Sequence, residues 1–359
     1  MNYKTIITLL LAIFLNTKLL LAVEEVDDYK SLPEGQTGNI GNAKHSIAKN
    51  FMVVTADQRA TISAKRILEA GGTALDAAIS AQMVLNLVEP QSSGIGGGAF
   101  ILYYDAKTNK IYAWDGREKA PMRFSEDVFL NSNGKKKGFI EAVSGGLAVG
   151  VPALISMLEK AHNLHGNMPW NKLFEDAITL STEGFIVGKR LSKLISRAPH
   201  LKNQKIAREY FNIDGGGLKV GDLKKNVKFA ESLRLIRDNG ALSILNGILA
   251  DSILSTVTGH IENPGIMVKK DFSFVNPLHK KPVCGSYRKW KICGMGPPSS
   301  GGITVLQILG ILNNFDLSSE NSQDPYVWHL FLEAAKLAYT DGGYYIADND
   351  FINVPIDEM

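Results

Sequence analysis

The chain has 359 residues, of which 45% are hydrophobic and 21% are charged, and its formal net charge is +3. These proportions are ordinary for a globular protein with a sizeable core, and the length allows one large domain or two small ones. A net charge this small, without a basic face interleaved with aromatic residues, argues against nucleic-acid binding.

The N-terminus has the layout of a secretory signal. Lys4 gives a positive start, residues 5–15 are apolar, and Leu20-Leu21-Ala22 precedes an acidic stretch. Lys18 interrupts the apolar run, which disfavours a stable membrane span of about 20 residues. We therefore expect a signal peptide at residues 1–22 and a periplasmic or secreted protein, with an uncleaved anchor as the open alternative.

The remaining sequence is expected to form one α+β domain over residues 51–359. Residues 23–50 are polar and glycine-rich and are predicted to be a poorly ordered lead-in. Residues 51–54 are predicted as the first strand, and residues 58–70 as a helix that ends at two glycines. Helices alternating with short hairpins, with no evident interdomain linker, are typical of a single layered domain.

An apolar helix over residues 74–88 comes next and is expected to be deeply buried. Thr73 and Asp76 have the spacing of a capping box at its start, and Glu89-Pro90 ends it. Glycines follow, and then residues 99–105 and 111–115 are predicted to pair as a hairpin. Further helices are predicted at 153–165, 173–183, 231–239, 241–257, 303–312 and 325–340.

The two cysteines lie in a second predicted hairpin. If Arg288-Lys289 is its two-residue turn, Cys284 and Cys293 face each other where cross-strand side chains come closest. A disulfide is then open to the protein in an oxidising compartment. Because Arg-Lys is poor chemistry for such a turn, two buried free thiols are the expected state.

Nucleotide and metal sites are disfavoured. The glycine cluster at residues 94–98 follows a helix and precedes a strand, whereas a dinucleotide fingerprint follows a strand and opens a helix. The seven histidines show no zinc-binding spacing, and there are no zinc-type cysteine pairs. Neither a nucleotide site nor a metal site is therefore expected.

A serine nucleophile is the stronger alternative. Ser300 lies between a predicted strand and a predicted helix, the setting of a nucleophile elbow, and acidic residues and His329 follow in serine–acid–histidine order (Asp316, Asp324). The alternative for His329 is a histidine packed within a helix. A milder interpretation is that Ser299, Ser300 and Gly301, at a helix N-terminus, line a pocket or an interface and bind an anion or a carbonyl.

Arg117 is the strongest single candidate for a substrate-binding residue. It lies just past the predicted hairpin, where a bidentate guanidinium could bind a carboxylate in a cleft. The alternative is a salt bridge with Glu118 or Asp115.

Six motifs, collinear over about residues 45–357, resemble the large subunit of the gamma-glutamyltranspeptidases, or glutathione hydrolases. They are Gly71-Gly72-Thr-Ala-Leu-Asp76-Ala-Ala78, Val88-Glu-Pro-Gln91 with Ile95-Gly-Gly-Gly98, Arg117-Glu-Lys-Ala-Pro121, Val149-Gly-Val-Pro152, Pro297-Pro-Ser-Ser-Gly-Gly302 and Glu333-Ala-Ala-Lys-Leu-Ala-Tyr339.

The resemblance implies the αββα sandwich of the N-terminal-nucleophile hydrolases. Such precursors cut themselves in two, freeing a threonine that attacks the γ-glutamyl amide of glutathione and related compounds while its α-amine acts as base. The acyl group then passes to water, an amino acid or a dipeptide. Arg117 matches the arginine that holds the α-carboxylate of the γ-glutamyl group, and no metal or organic cofactor is implied.

The sequence departs from the family in lacking a Thr-Thr-His stretch, which carries the nucleophile and opens the small subunit. We therefore expect no catalytic residue in this chain, and no turnover by the chain alone. Three hypotheses follow. The chain is the large subunit of an enzyme whose small subunit is a separate chain, it is an inactive truncated remnant, or it is a serine hydrolase or binding protein that uses Ser300.

Overall fold

The structure is a computed structural model that describes residues 46–317 and 324–359. The predicted signal peptide and most of the predicted lead-in fall on residues 1–45, so these predictions lie outside the described residues. Residues 51–54 have no regular secondary structure, so the predicted first strand is wrong. Their β-branched and aromatic side chains favour a strand, but no neighbouring strand in the described part of the chain supplies the hydrogen bonds that would make one.

Two helices at the start of the fold form the centre of the main hydrophobic core, α1 (Gln58–Glu69) and α2 (Ala74–Val88). The Thr73 hydroxyl accepts a hydrogen bond from the Asp76 amide at 3.2 Å, and the Asp76 carboxylate accepts one from the Thr73 amide at 2.8 Å. Most of α2 is buried, including Ile79 and Met83. Both the capping box and the burial of this helix are confirmed.

Further α-helices follow along the described part of the chain. In chain order they are α3 (Phe139–Val143), α4 (Leu154–His165), α5 (Glu175–Glu183), α6 (Lys189–Ser196), α7 (Lys205–Tyr210), α8 (Val227–Asn239), α9 (Leu242–Leu245), α10 (Ile248–Thr258), α11 (Gly301–Leu312) and α12 (Pro325–Tyr345). Within the described residues, no single helix is long and apolar enough to cross a bilayer, although α8 together with residues 242–258, bent by 115°, meets the criteria of length and composition.

Residues 46–317 and 324–359 also contain three small antiparallel sheets. Strands β1 (Ala99–Asp105) and β2 (Lys110–Gly116) form the predicted hairpin, and the unpredicted strand β5 (Leu278–Lys280) pairs with the other edge of β2. The second sheet joins β3 (Phe185–Ile186) to β4 (Leu223–Lys224). Since β5 aligns Leu278 with Asp115, it brings a distant part of the chain to the end of β2, next to Arg117.

The cysteine hairpin consists of β6 (Val283–Tyr287) and β7 (Trp290–Gly294), joined by the predicted two-residue turn. Arg288 takes a φ of 54°, so the turn forms despite its unfavourable residues. Cys284 aligns with Cys293 and the two form a disulfide. The expectation of two buried free thiols is therefore wrong, because the register brings the side chains together and Cys284 is exposed.

Helices α11 and α12 pack together in opposite directions. Gln307 donates a hydrogen bond to Asp341 at 3.0 Å, and further along α11 the side chain of Leu312 packs with Ala334 of α12. The rest of α12 is unusually apolar for an exposed surface. Its exposed large side chains are Tyr326, Trp328, Phe331, Leu332, Leu337, Tyr339, Tyr344 and Tyr345.

Candidate functional site

Three segments that are distant in sequence meet at the end of β2, namely residues 94–98, 117–121 and 149–152. The carbonyl of Gly97 accepts hydrogen bonds from the amides of Ala153 and Leu154, at 3.2 and 3.1 Å. These amides are at the start of α4, where helix N–H groups otherwise lack partners. The amide of Val151 donates to the carbonyl of Lys119 at 2.8 Å. Backbone hydrogen bonds thus join the three segments into one unit.

Two glycines allow this close approach. A Cβ at Gly98 would lie 2.4 Å from the carbonyl oxygen of Gly116 and 2.7 Å from the amide of Glu118. A Cβ at Gly150 would lie 3.0 Å from the Cβ of Glu118. The Gly98 contacts are with backbone atoms and are closer than side-chain carbons come, so glycine is required there, whereas a Cβ at Gly150 would make Glu118 shift by a few tenths of an ångström.

The residues before the glycine cluster are held by a buried carboxylate. Glu89 is 5% exposed and accepts hydrogen bonds from Gln91 and Arg190. Burial raises the pKa of Glu89, although the positive charge of Arg190 opposes the shift. The turn over the glycines borders a hollow of about 620 Å³, which Glu118 lines from the other side.

Arg117 combines a fixed backbone with an exposed side chain. Its amide donates to Asp115 Oδ1 at 3.0 Å, whereas its side chain is 59% exposed. The guanidinium Nε lies 3.4 Å from Glu118 Oε2. Among the residues that the structure describes, neither terminal guanidinium nitrogen has a partner. Of the two salt bridges considered from the sequence, the one with Glu118 is therefore present at one nitrogen, and Asp115 pairs elsewhere.

Asp115 pairs with Lys280, the last residue of β5. Lys280 Nζ lies 2.8 Å from Asp115 Oδ2, and it also donates to Asn349 at 3.1 Å and to Asp350 at 3.0 Å. The carboxylate of Asp115 thus binds the Arg117 amide with one oxygen and Lys280 with the other. Its side chain is 4% exposed, so the lysine supplies the positive charge that a buried carboxylate needs.

A second lysine completes this network. Lys119 Nζ lies 2.5 Å from Asp348 Oδ2 and 2.9 Å from Asp350 Oδ2. We call Lys119, Lys280, Asp348 and Asp350 the charged clasp. It ties the segment after α12 to the residues just past β2, across a sequence separation of 229 residues, and to β5, across a separation of 70 residues.

The pKa shifts in the charged clasp follow from these contacts. Burial alone would lower the pKa of Lys119, but its hydrogen bonds to Asp348 and Asp350 outweigh burial and raise it. The pKa of Lys280 is raised in the same way, with Asp115 and Asp350 outweighing burial. The hydrogen bond from Lys119 lowers the pKa of Asp350, although burial opposes the shift. All three shifts favour the charged forms.

A narrow cleft of about 110 Å³ lies between Arg117 and the charged clasp. Its walls include Lys119 and Lys280, whose charges are already neutralised by carboxylates. Among the described residues, Arg117 is therefore the cation at this cleft whose charge is least neutralised, since both of its terminal nitrogens lack a partner. Such an arrangement suits a carboxylate, which takes two parallel hydrogen bonds from a guanidinium.

Ser299, Ser300 and Gly301 lie at the start of α11, as predicted. The amide of Gly301 donates to Ser299 Oγ at 3.3 Å, while Ser300 is exposed and its side chain makes no capping bond. A role of these three residues in lining a pocket or an interface stays a prediction.

The serine–acid–histidine arrangement is not formed. Gln307 of α11 lies beside Asp341 of α12, and the two helices run in opposite directions. Ser300 lies seven residues before Gln307 and His329 lies twelve residues before Asp341, so the two residues are displaced in opposite directions along the helix pair. At 1.5 Å per residue, about 28 Å of helix separates Ser300 from His329. Asp324 accepts a hydrogen bond from the Tyr326 amide and so caps α12. His329 is exposed, so the interpretation as a packed histidine is also wrong. Sequence order alone could not show that α11 and α12 run in opposite directions and so place Ser300 and His329 far from each other.

The described residues contain no group of three histidine, cysteine, aspartate or glutamate side chains that could hold a metal ion.

Sequence reasoning missed β5 and the charged clasp. Lys119 lies inside a family motif, but its partners are far away in sequence and no local spacing points to them. The sequence after α12 gave no signal of these contacts either, since Asp348 and Asp350 have the pattern of an ordinary acidic loop.

Comparison with known proteins identifies the family. Residues 60–359 match the family model described as Gamma-glutamyltranspeptidase. The chain is 36% identical over 310 residues to a glutathione hydrolase proenzyme of Bacillus subtilis, covering 86% of this chain and 52% of that protein. It is 34% identical over 310 residues to a glutathione hydrolase proenzyme of Escherichia coli, covering 86% and 53%. The chain thus spans about half the length of the curated relatives it matches.

Solved structures agree with the sequence comparison. The crystal structure of Helicobacter pylori gamma-glutamyltranspeptidase is similar with a TM-score of 0.83 and 32% identity, over 88% of this chain and 89% of that chain. A gamma-glutamyltranspeptidase from Pseudomonas nitroreducens gives a TM-score of 0.80 at 27% identity, over 87% and 91%. The predicted fold class, an α+β fold of the αββα sandwich type, is confirmed. The chain therefore belongs to the gamma-glutamyltranspeptidase family.

Proposed function

We propose that this chain is the large-subunit portion of a γ-glutamyl hydrolase and acyltransferase that acts on glutathione or a related γ-glutamyl compound. The reaction needs a threonine nucleophile from a small subunit. Its hydroxyl attacks the γ-glutamyl amide carbon, its α-amine takes the hydroxyl proton, and the amine of the cleaved bond leaves with a proton. Water or an amino acid then attacks the acyl-enzyme ester and releases the threonine.

The observation that carries the proposal is the partly paired guanidinium of Arg117. Its role is to hold the α-carboxylate of the γ-glutamyl group through its terminal nitrogens. A 3.4 Å pair with Glu118 through Nε alone, with the arginine mostly exposed, contributes little to folding stability, so stability alone gives little reason for an arginine here. A rigid backbone below an available guanidinium is what a carboxylate-binding residue requires.

Two features support a small subunit as partner. The exposed aromatic and aliphatic side chains of α12 form an apolar surface of the kind that marks a protein interface. The sheet of β6 and β7 has two strands, with α11 packed against it, and its outer edges pair with no other strand among the described residues, so they are open to a further strand. Both features suit a fold completed by a second polypeptide segment.

The remaining parts of the proposal concern the chain's organisation and location. Residues 1–22 act as a signal peptide, residues 23–50 as a lead-in, and residues 51–359 as the large-subunit domain. The protein is periplasmic or secreted. The disulfide between Cys284 and Cys293 supports export, because such bonds persist mainly in oxidising compartments.

The test begins with the chain isolated from its native cells together with any stoichiometric partner, whose N-terminus is sequenced. We expect a partner that begins with threonine, hydrolysis of a γ-glutamyl anilide by the complex, and no hydrolysis by the chain alone. In the complex, Arg117→Ala should lower kcat/KM by about 30- to 1000-fold, the loss of one or two charged hydrogen bonds. Arg117→Lys should fall between, because it keeps the charge and loses the bidentate geometry.

Arg123→Ala is the matched control, since Arg123 is an exposed arginine six residues further along. It should leave kcat/KM unchanged. An active complex with the same kcat/KM in Arg117→Ala would refute the role of Arg117. A chain found alone and inactive in every preparation would support the truncated remnant instead.

A further inference from the structure

We infer that the charged clasp positions Arg117, so that the segment after α12 controls the geometry of the carboxylate site. Its catalytic consequence rests on the proposed function of Arg117. Lys280 is the central positioning residue, because it contacts Asp115 on one side and Asp350 on the other. None of these side chains needs to touch the substrate.

The inner half of the argument concerns Asp115. This carboxylate is almost fully buried, and it accepts the Arg117 amide at 3.0 Å and Lys280 Nζ at 2.8 Å. Removing the lysine charge would leave a buried carboxylate without its counter-ion. The carboxylate would then reorient toward water, and this change weakens its hold on the Arg117 amide.

The outer half concerns Asp350. Its two oxygens contact different lysines, Lys280 at 3.0 Å and Lys119 at 2.9 Å. Lys119 lies two residues after Arg117, and its own carbonyl is held by Val151. Asp350 therefore fixes both sides of the Arg117 backbone, one through Asp115 and the other through Lys119.

The lysine ammonium groups are well used. Lys280 Nζ has three oxygen acceptors, from Asp115, Asn349 and Asp350, and these match its three donors. Both lysine side chains are about one quarter exposed, at 28% for Lys119 and 23% for Lys280. At this burial the pairs are less screened by solvent than surface ion pairs, so they can restrain a loop.

The first test is amide hydrogen exchange on the full chain, followed in peptides that contain Arg117. Lys280→Met should speed exchange of the Arg117 amide about tenfold, the equivalent of losing one modest hydrogen bond. Asp350→Asn should speed it less, because Asp115 keeps Lys280. Lys280→Arg should remain close to wild type, since it restores the charge.

Lys281→Met is the matched control, because Lys281 is an exposed neighbour whose side chain makes no ion pair among the described residues. Equal exchange in Lys280→Met and Lys281→Met would overturn the inference. So would an equal acceleration in the remote helix α8, because the effect would then be global destabilisation. Acceleration confined to the peptides around Arg117 supports it.

The second test uses the active complex. Lys280→Met should raise KM for a γ-glutamyl anilide about tenfold and change kcat less, since a displaced Arg117 weakens substrate binding. If Arg117→Ala raises KM and Lys280→Met does not, the positioning role is wrong although the proposed function stands. If exchange responds as expected while Arg117→Ala leaves KM unchanged, the proposed function fails and the structural coupling remains.

Discussion

The strongest stability prediction concerns Asp76, whose carboxylate is fully buried at the start of α2. Its Oδ2 accepts hydrogen bonds from the amides of Thr73 at 2.8 Å, Asn167 at 2.9 Å and Met168 at 3.2 Å. Asp76→Ala would leave three backbone donors without this acceptor, at about 1–3 kcal/mol for each one that water cannot reach. Since the donors are partly accessible, we expect a total loss of about 3–5 kcal/mol in the free energy of unfolding.

Urea denaturation followed by circular dichroism measures this loss. Thr73→Ala is the comparison, because it removes the side-chain cap and leaves the Asp76 carboxylate, and it should cost about 1 kcal/mol. The difference matters because a typical domain has only about 5–15 kcal/mol of net stability. If Asp76→Ala costs no more than Thr73→Ala, the carboxylate does not hold the turn at residues 167–168 and the reasoning is wrong.

Two further predictions concern the site. Gly98→Ala should destabilise the fold by about 1–3 kcal/mol, because its Cβ would overpack against the Gly116 and Glu118 backbone, and the thermal unfolding temperature should fall. Gly94→Ala should leave this temperature unchanged, because no atom lies within 4 Å of its added Cβ. The charged clasp should also be pH-dependent. The lowered pKa of Asp350 makes its contribution complete above the ordinary value of 3.8 and lost as pH falls through the folded value. The raised pKa values of Lys119 and Lys280 make theirs complete below 10.5 and lost as pH rises through the folded values. Relative to its intrinsic rate, exchange of the Arg117 amide should therefore be slowest between these two pH limits. A wild-type pH profile identical to that of Asp350→Asn would contradict this prediction.

Local patterns predicted the parts of the fold that local physics decides. The capping box at Thr73, the burial of α2 and the β1–β2 hairpin depend on residues that are close in sequence. The register of Cys284 and Cys293 also followed from counting residues around the turn. The bonding state did not, because turn propensity is a weak preference that the adjoining strands overrode.

Long-range contacts were beyond this reasoning. Strand β5 has three residues, too few to show a period, and it exists because β2 offers an unpaired edge. The triad suggested around Ser300 was wrong because the order of residues along the chain does not fix the relative direction of α11 and α12. The family resemblance indicated which segments matter, and only the structure brought Gly98, Arg117 and Gly150 together.

The contrast between Arg117 and Arg123 explains why exposure alone does not identify a binding residue. Both are exposed arginines on the same segment. Only Arg117 has a backbone amide held by a buried carboxylate, and that carboxylate is held in turn by Lys280. Fixing the backbone beneath an exposed side chain gains little for folding, because the side chain itself stays in water. It does reduce the entropy that a ligand must overcome on binding. The buried support therefore favours recognition of a carboxylate at this position over a purely structural ion pair.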